Sequence, residues 1–199
     1  MEMLREVLVE NLQDLLHAEM QLVQALPSMA EAANHPKLKE AFEKHLDQTE
    51  GHVERLKRAF EALGEKAEPK PCKAMMGLIA EGEEKIKEGP EKEPLAADLA
   101  LIAAAQKVEH YEISGYGTAR SLARQLGRTD CARLLTHTLG EEESTDFLLT
   151  AIADPLVQQA TLDDLGADVN LDSVPSANGQ KRSAAPGKKK MPKQEKGAA

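Results

Sequence analysis

The sequence is poor in aromatic residues and contains no tryptophan. Aromatic side chains make up 3% of its 199 residues, whereas 41% of the residues are hydrophobic. A core with so few rings must be built from Leu, Ala, Val, Ile and Met, most of which favour helix, while β-rich domains draw on aromatic and β-branched residues. The composition therefore favours an all-α protein, and the length suffices for one well-buried domain.

Cysteines and long apolar runs are also scarce. The only two cysteines, Cys72 and Cys131, exclude a disulfide-dense secreted scaffold and form no CxxC motif. No run approaches the ~18 apolar residues that a membrane span requires. The N-terminal segment carries acidic residues within its apolar pattern, which is unlike a signal peptide. We therefore expect a soluble, reduced, cytoplasmic protein with no membrane contact.

The charge is unevenly distributed along the chain. The net charge is −9, but residues 176–199 hold seven basic residues and one acidic residue, so this end carries +6 and the remainder −15. Residues 176–199 are rich in Lys, Ala, Gly, Ser and Pro, which cannot bury enough apolar surface to offset the entropy of ordering. We predict a folded domain over 1–165 and a disordered Lys-rich tail over 166–199. The tail could contact nucleic acid or act only as a solubilising extension, and it lacks the interleaved aromatics of many nucleic-acid binders.

Apolar residues recur at helical spacing in four long segments. They predict helices over 4–33, 36–63, 96–126 and 129–153. The last should end near Pro155. Between the second and third helices, residues 65–95 are rich in proline and glycine and leave room for one short helix, over 75–87. Two helical hairpins joined by such a long crossover predict a ferritin-like four-helix bundle.

Ionisable side chains interrupt the apolar stripes near the middle of each long helix. They are Glu19 in the first, His45 and His52 in the second, Glu109 and Glu112 in the third, and Glu142 and Asp146 in the fourth. A buried carboxylate costs several kcal/mol unless it is protonated, paired or neutralised by a cation. Lys and Arg are scarce on these faces. The mixture of carboxylate and imidazole therefore predicts a metal site, and it suits iron or manganese better than calcium.

The spacing of these residues repeats between the two hairpins. Glu19 and His52 are separated by 33 residues, and so are Glu109 and Glu142. Polar residues at matching heights in two hairpins are what a two-metal site requires. The alternative is a hydrogen-bonded network of the same carboxyl and imidazole groups that sets the register of the bundle without metal.

Five stretches of the chain resemble a known family. They are HAEMQLVQALPSMAEAA, LKEAFEKHLDQTEGHVERL, PCKAMMGLIAEG, LIAAAQKVEHYEISGYGTARSLARQLG and LLTHTLGEEESTD. The fourth is the most specific. Together they are similar to the bacterial stress-response family typified by YciF and YciE, a ferritin-like domain of unknown function. The resemblance implies a four-helix bundle, a dimer and an iron-binding role in stress, with no established reaction.

The wider di-iron pattern is matched in part. It asks for Glu on the first and third helices and for Glu-x-x-His on the second and fourth. Both single glutamates are present, but the paired motifs read Thr49-x-x-His52 and Glu142-x-x-Thr145, so two of the six expected ligands are hydroxyl residues. Residues about one turn away could replace them: His45, Glu112 and Asp146, or Glu50 if the second helix is rotated.

Two functions from different classes follow. The first is a ferritin-like protein that binds Fe(II) or Mn(II) as a di-metal centre and reacts with O₂ or H₂O₂, by Fe(II) oxidation or peroxide removal. The second is a non-catalytic dimeric stress-response scaffold whose buried polar residues are structural. A homodimer is expected in either case, because the apolar crossover residues Met75, Met76 and Leu78 need to be covered.

Overall fold

A computed structural model of the chain describes residues 1–165, and they are almost entirely helical. The α-helices are α1 (Glu2–Ala32), α2 (Pro36–Leu63), α3 (Lys73–Glu88), α4 (Pro94–Gln125) and α5 (Thr129–Leu165). A short 3₁₀ turn, Gly89–Glu91, follows α3. No strand occurs within residues 1–165, so the all-α prediction is confirmed there. The tail predicted over 166–199 lies outside the described residues.

Local chemistry explains where the second helix begins and ends. Pro36 stands in its first turn, where a missing N–H costs nothing, and the His35 ring accepts a hydrogen bond from the Lys37 amide. Gly64 ends the helix in the left-handed region at φ 71°. Gly127 adopts a similar φ of 69° just after α4. Glycine reaches this conformation without a Cβ clash, so each glycine ends its helix within one residue of the end predicted from the sequence.

The predicted end of the last helix near Pro155 is wrong, because α5 continues through this residue to Leu165. Proline removes one hydrogen bond to the carbonyl four residues earlier, here that of Ala151. Ala151 is exposed, so water can satisfy the freed carbonyl. Beyond the proline, Leu156 packs against the same core cluster as Ile152, and this contact favours continuing the helix.

The four long helices form the predicted pair of hairpins. α1 packs against α2, and α4 packs against α5, each pair joined by a short turn. Between the hairpins, α2 packs against α5 and α1 packs against α4. The crossover helix α3 lies on the outside against α1 and α4. This is the ferritin-like arrangement expected from the long crossover.

The turn between α1 and α2 is held by a carboxylate from another helix. Asp98 in α4 is 2% exposed. Its two oxygens accept hydrogen bonds from the backbone amides of Asn34 and His35, each at 2.8 Å. Burying a carboxylate is tolerated here because backbone donors satisfy it. Asp98 therefore couples the first hairpin to α4.

The apolar core is divided into two clusters along the bundle axis. Along α1, Leu16 belongs to one cluster and Leu22 to the other. Glu19 lies between them and is fully buried. The middle of the bundle is therefore the polar layer that separates two apolar ones.

Two of the three apolar crossover residues named above are covered within the chain. Met75 is completely buried within the chain, and Leu78 packs against the core. Only Met76 of the three is exposed, at 53%. Most of the apolar surface that favoured a homodimer is therefore covered within the chain. The homodimer stays a prediction.

Candidate metal centre

Six of the seven predicted ligands lie together in the polar layer. They are Glu19 of α1, His45 and His52 of α2, Glu109 and Glu112 of α4, and Glu142 of α5, and none is more than 3% exposed. Each interrupts the apolar stripe of its own helix at a core-facing position. Four helices therefore bring four carboxyl groups and two imidazoles to one level of the bundle.

These side chains form two groups with ligand spacing. His45, Glu109, Glu112 and Glu142 make up the first, called here the A group. Glu19, His52 and Glu142 make up the second, the B group. Within each group, one ligand atom from every residue lies within 4.8 Å of the others. Because Glu142 belongs to both groups, its two oxygens could serve two neighbouring cations.

Hydrogen bonding prepares His52 as a ligand. Its Nε2 lies 3.0 Å from Oε2 of Glu141, a carboxylate that also pairs with Arg55. Its Nδ1 lies 2.8 Å from Glu142 and 3.4 Å from Glu19. When Nε2–H donates to Glu141, the lone pair of the neutral ring is on Nδ1, between two carboxyl groups. A carboxylate behind a metal-binding histidine fixes the ring in this way.

His45 is oriented by a threonine. The Thr145 hydroxyl donates its one hydrogen to the backbone carbonyl of Glu141 at 3.0 Å. With its hydrogen on that carbonyl, its oxygen, 3.2 Å from Nδ1 of His45, accepts from Nδ1–H of the matching tautomer. Nε2 is left as the acceptor atom, 3.3 Å from Glu109 and 3.7 Å from Glu142.

The threonines at expected ligand positions both contact His45. Thr49 is fully buried and donates to the His45 carbonyl at 2.8 Å. Thr145 holds the His45 ring. The two hydroxyl residues thus support the histidine that stands about two turns before His52 on α2.

The polar layer is rich in unpartnered atoms. Eight buried side-chain atoms of the two groups make no well-aligned hydrogen bond, although Nδ1 of His52 lies 2.8 Å from Glu142: Glu19 Oε2, His45 Nε2, His52 Nδ1, Glu109 Oε2, both oxygens of Glu112 and both of Glu142. Buried polar atoms ordinarily find a partner, and an exception calls for an ion, a water or a catalytic role. Their concentration at one level indicates a site built for a charged ligand.

The carboxyl groups repel one another in this low-dielectric layer. Burial, reinforced by neighbouring carboxylates, raises the pKa of Glu109 and of Glu112 well above the ordinary value. Burial also raises the pKa of Glu142, to about 7, although His52 acts in the opposite direction. Without a cation, the layer therefore holds protonated carboxyl groups at neutral pH.

The pKa values of the two histidines are shifted in opposite directions. Burial lowers the pKa of His52, but the carboxylates of Glu142 and Glu19 outweigh it and raise the value to about 10. Burial, with the nearby charge of His52, lowers the pKa of His45 to about 4. At neutral pH the cation-free layer contains a charged His52 and a neutral His45.

Asp146, the seventh predicted ligand, is in neither group within residues 1–165. Its carboxylate accepts a hydrogen bond from Gln106 at 3.1 Å and lies 3.3 Å from the largely exposed His110. Glu50 is exposed, so the rotation of α2 that would have made it a ligand does not occur. Both side chains lie outside the buried layer.

Two supporting residues were not predicted. Tyr116 is fully buried and donates a hydrogen bond to Oε1 of Glu19. It stands seven residues after Glu109 on the same helical stripe, so the spacing predicts its buried position but not its bond to Glu19. Glu141, which orients His52, has a side chain 25% exposed at the edge of the layer, where no periodicity marks it.

Comparison with known proteins assigns the family. A family model described as a domain of unknown function, DUF892, matches residues 3–162. The chain belongs to this family. Among DUF892 relatives, Protein YciF of Escherichia coli K12 is 46% identical over 154 residues, which is 77% of this chain and 92% of the relative. The predicted YciF-like resemblance is confirmed.

Solved structures of related proteins share the fold. The E. coli stress protein YciF has 43% identity and a TM-score of 0.76, covering 79% of this chain and 99% of its own. YcfI of Rhodopseudomonas palustris, for which a structural role has been suggested, has 38% identity and a TM-score of 0.70, covering 74% and 92%. A protein of Xanthomonas campestris, 21% identical with a TM-score of 0.62, covers 82% and 99% and shows the likeness of fold alone.

Within residues 1–165, no helix combines the length and the apolar composition needed to cross a bilayer.

Proposed function

We propose that this chain is a ferritin-like two-metal protein that binds Fe(II), with Mn(II) as the other candidate ion. The observation that carries the proposal is the set of eight buried, unpartnered ligand atoms on six side chains at one level of the bundle. Glu142 links the A and B groups. Paired divalent ions ~3.5–4 Å apart are commonly joined by such a shared carboxylate.

The charge of the layer supports two divalent cations. Glu19, Glu109, Glu112 and Glu142 are its four carboxyl groups, and His45 and His52 are neutral when their lone pairs bind metal. Four ionised carboxylates carry four negative charges, which two divalent cations balance. Bound cations also remove the repulsion that raises the pKa of Glu109 and Glu112.

The arrangement divides the ligands between two positions. The A group offers an imidazole and three carboxylates, and the B group offers an imidazole and two carboxylates, with Glu142 counted in both. Mixed carboxylate and imidazole ligands suit iron and manganese. Tyr116 holds one oxygen of Glu19, so its hydrogen bond sets the direction of the other.

The chemistry that such a centre supplies is two-electron reduction of O₂ or H₂O₂. Two Fe(II) ions held by the A and B groups would supply two electrons, which with two protons reduce O₂ to H₂O₂ or H₂O₂ to two waters. Glu109 and Glu112, protonated without metal, release protons when a cation binds. Removal of Fe(II) or of peroxide fits the description of the E. coli relative as a stress protein.

Anaerobic Fe(II) titration of single-residue variants tests the proposal. We expect the wild-type chain to bind about two Fe(II). Glu109→Gln affects only the A group and should lose one ion, and Glu19→Gln affects only the B group and should also lose one. Glu142→Gln should lose both. Glu143→Gln is the matched control, because Glu143 is the exposed neighbour of Glu142.

The result that contradicts the proposal is equally specific. Fewer than about one metal ion per two wild-type chains purified without chelator, or equal binding by Glu142→Gln and Glu143→Gln, would refute it. A change in O₂ consumption alone would not suffice, because it could follow from altered access.

The second candidate is a dimeric scaffold without metal. It is favoured by the ion pairs of His52 with Glu19 and Glu142, which join three helices, and by the threonines at two expected ligand positions. Both candidates expect a homodimer, so thermal stability separates them: the scaffold predicts an equal Tm with chelator and with Fe(II) or Mn(II). The two-metal proposal predicts a higher Tm with metal.

A further inference from the structure

A cavity of about 110 Å³ lies among α1, α2, α3 and α4. Its walls are mostly apolar and include Leu22, Leu26, Met29, Phe42, Ile79 and Val108. The exposed side chains of Gln24, Ser28 and Glu83 also line it, so it reaches the surface between α1 and α3. The cavity is therefore an apolar passage with a polar rim.

The same cavity reaches the candidate metal centre. His45 and Glu109 line it, and both belong to the A group. The unpartnered atoms of these residues, Nε2 of His45 and Oε2 of Glu109, are themselves fully buried, so other atoms of the two side chains face the cavity. His52 and Glu19 of the B group are absent from its lining. The passage therefore serves one side of the centre.

We propose that this cavity binds a small, uncharged, apolar molecule and delivers it to the His45 and Glu109 side. In the reaction above, on which this inference rests, that molecule is O₂ rather than H₂O₂. Hydrogen peroxide would lose its hydrogen bonds to water along apolar walls, which is costly, whereas O₂ has none to lose. Dry apolar cavities of comparable size, ~150 Å³, hold benzene or xenon.

The crossover helix provides a matched pair of variants. Gly82 is buried on α3 and lines the cavity, and a Cβ at this position would lie 3.7 Å from Sδ of Met29. The longer side chain of Gly82→Leu would therefore occupy the passage. Gly77 is exposed on the same helix, and a Cβ there meets nothing within 4 Å, so Gly77→Leu is the control.

Xenon is the first probe, used on metal-free protein so that the outcome does not depend on iron. Crystals of wild type and Gly77→Leu under xenon pressure should show a bound atom beside Phe42 and Val108, and those of Gly82→Leu should not. Ala105→Ile, which fills the cavity from α4, provides a second test should Gly82→Leu fail to fold. A wild-type cavity without xenon overturns the inference.

Oxidation kinetics are the second probe. In Fe(II)-loaded protein, Gly82→Leu should slow oxidation by O₂ at least ~10-fold and change oxidation by H₂O₂ less than ~2-fold, with unchanged anaerobic Fe(II) stoichiometry. Equal slowing with both oxidants, or no slowing with O₂, overturns the O₂ route. Xenon binding without Fe(II) binding refutes the proposed function and the O₂ route together, whereas Fe(II) binding without xenon refutes this inference alone.

Discussion

The hydroxyl oxygen of Thr145 lies 3.2 Å from Nδ1 of His45, which stands 100 residues earlier in the chain. When Thr145 donates its hydrogen to the Glu141 carbonyl, its oxygen accepts from the imidazole. The contact therefore selects the tautomer in which Nε2 of His45 has its lone pair toward Glu109 and Glu142. A hydroxyl residue at an expected ligand position thus acts on a ligand from another helix.

Thr145→Ala should weaken metal binding at the A group by ~10-fold, because partners that orient a metal-bound histidine typically contribute this much or more. Thr145→Ser keeps the hydroxyl and should retain most of the affinity. Equilibrium titration with Co(II) under anaerobic conditions measures the change.

Thr136→Ala is the control for this experiment. Thr136 makes the same bond to a backbone carbonyl four residues earlier, at 2.7 Å, but is exposed. If it reduces affinity as much as Thr145→Ala does, helix effects rather than the His45 contact are responsible.

The metal-free protein should lose stability as the pH rises from about 6.5 to 9. The pKa values of Glu109 and Glu112 are raised well above the ordinary value, and Glu142, whose pKa is raised to about 7, contributes only at the lower end of this range. A raised carboxyl pKa gives stability that is complete below the unfolded value and is lost as the pH passes through the folded value. The raised pKa of His52, about 10, acts in the same direction above the unfolded value of 6.5.

Urea unfolding in the presence of chelator should show this loss as roughly 1–3 kcal/mol, since one pKa unit corresponds to ~1.4 kcal/mol. His45 contributes in the other direction only below pH 6.5, because its pKa is lowered to about 4. Glu112→Gln should flatten the dependence, as the amide resembles the protonated acid, and should weaken metal binding. An equally steep pH profile in this variant would contradict the assignment.

Asp98→Ala should destabilise the protein by about 1–3 kcal/mol, because two backbone amides then lack their partner. These are the amides of Asn34 and His35 in the turn between α1 and α2. Chemical denaturation measures the loss. Asp47→Ala, at an exposed position of α2, should change stability by less than ~0.5 kcal/mol, and a similar loss in both variants would refute the role of the buried carboxylate.

Gly115→Ala and Gly117→Ala should have opposite effects on stability. A Cβ at Gly115 would lie 2.8 Å from Cδ2 of Leu15, which is 1% exposed and tightly packed, whereas at Gly117 it meets nothing within 4 Å. Gly117→Ala should therefore gain up to ~1 kcal/mol from helix propensity. Gly115→Ala should lose ~1–3 kcal/mol by overpacking between α1 and α4. Equal gains in urea unfolding would show that Leu15 moves aside easily.

Local patterns were sufficient for much of the architecture. The bounds of α2 follow from Pro36 and Gly64, since proline is favoured in the first turn of a helix and glycine just after the last. The inward position of Glu19 follows from its spacing to Leu16 and Leu22. Contacts with other helices could not be predicted from such local patterns. At Pro155 the local rule favours the end of the helix, but the packing of Leu156 against the core favours its continuation.

Periodicity along each helix therefore accounts for the helical class, the two hairpins and the buried positions of Glu19, His45, His52, Glu109, Glu112 and Glu142. It could not assign partners, because the axial height and rotation of one helix against another depend on packing of the whole bundle. Only the folded chain separates the A and B groups and places Thr145 beside His45. The fold also pairs Asp146 with Gln106 and forms an apolar cavity beside Glu109. Each of these contacts joins residues far apart in sequence, so no local pattern contains it.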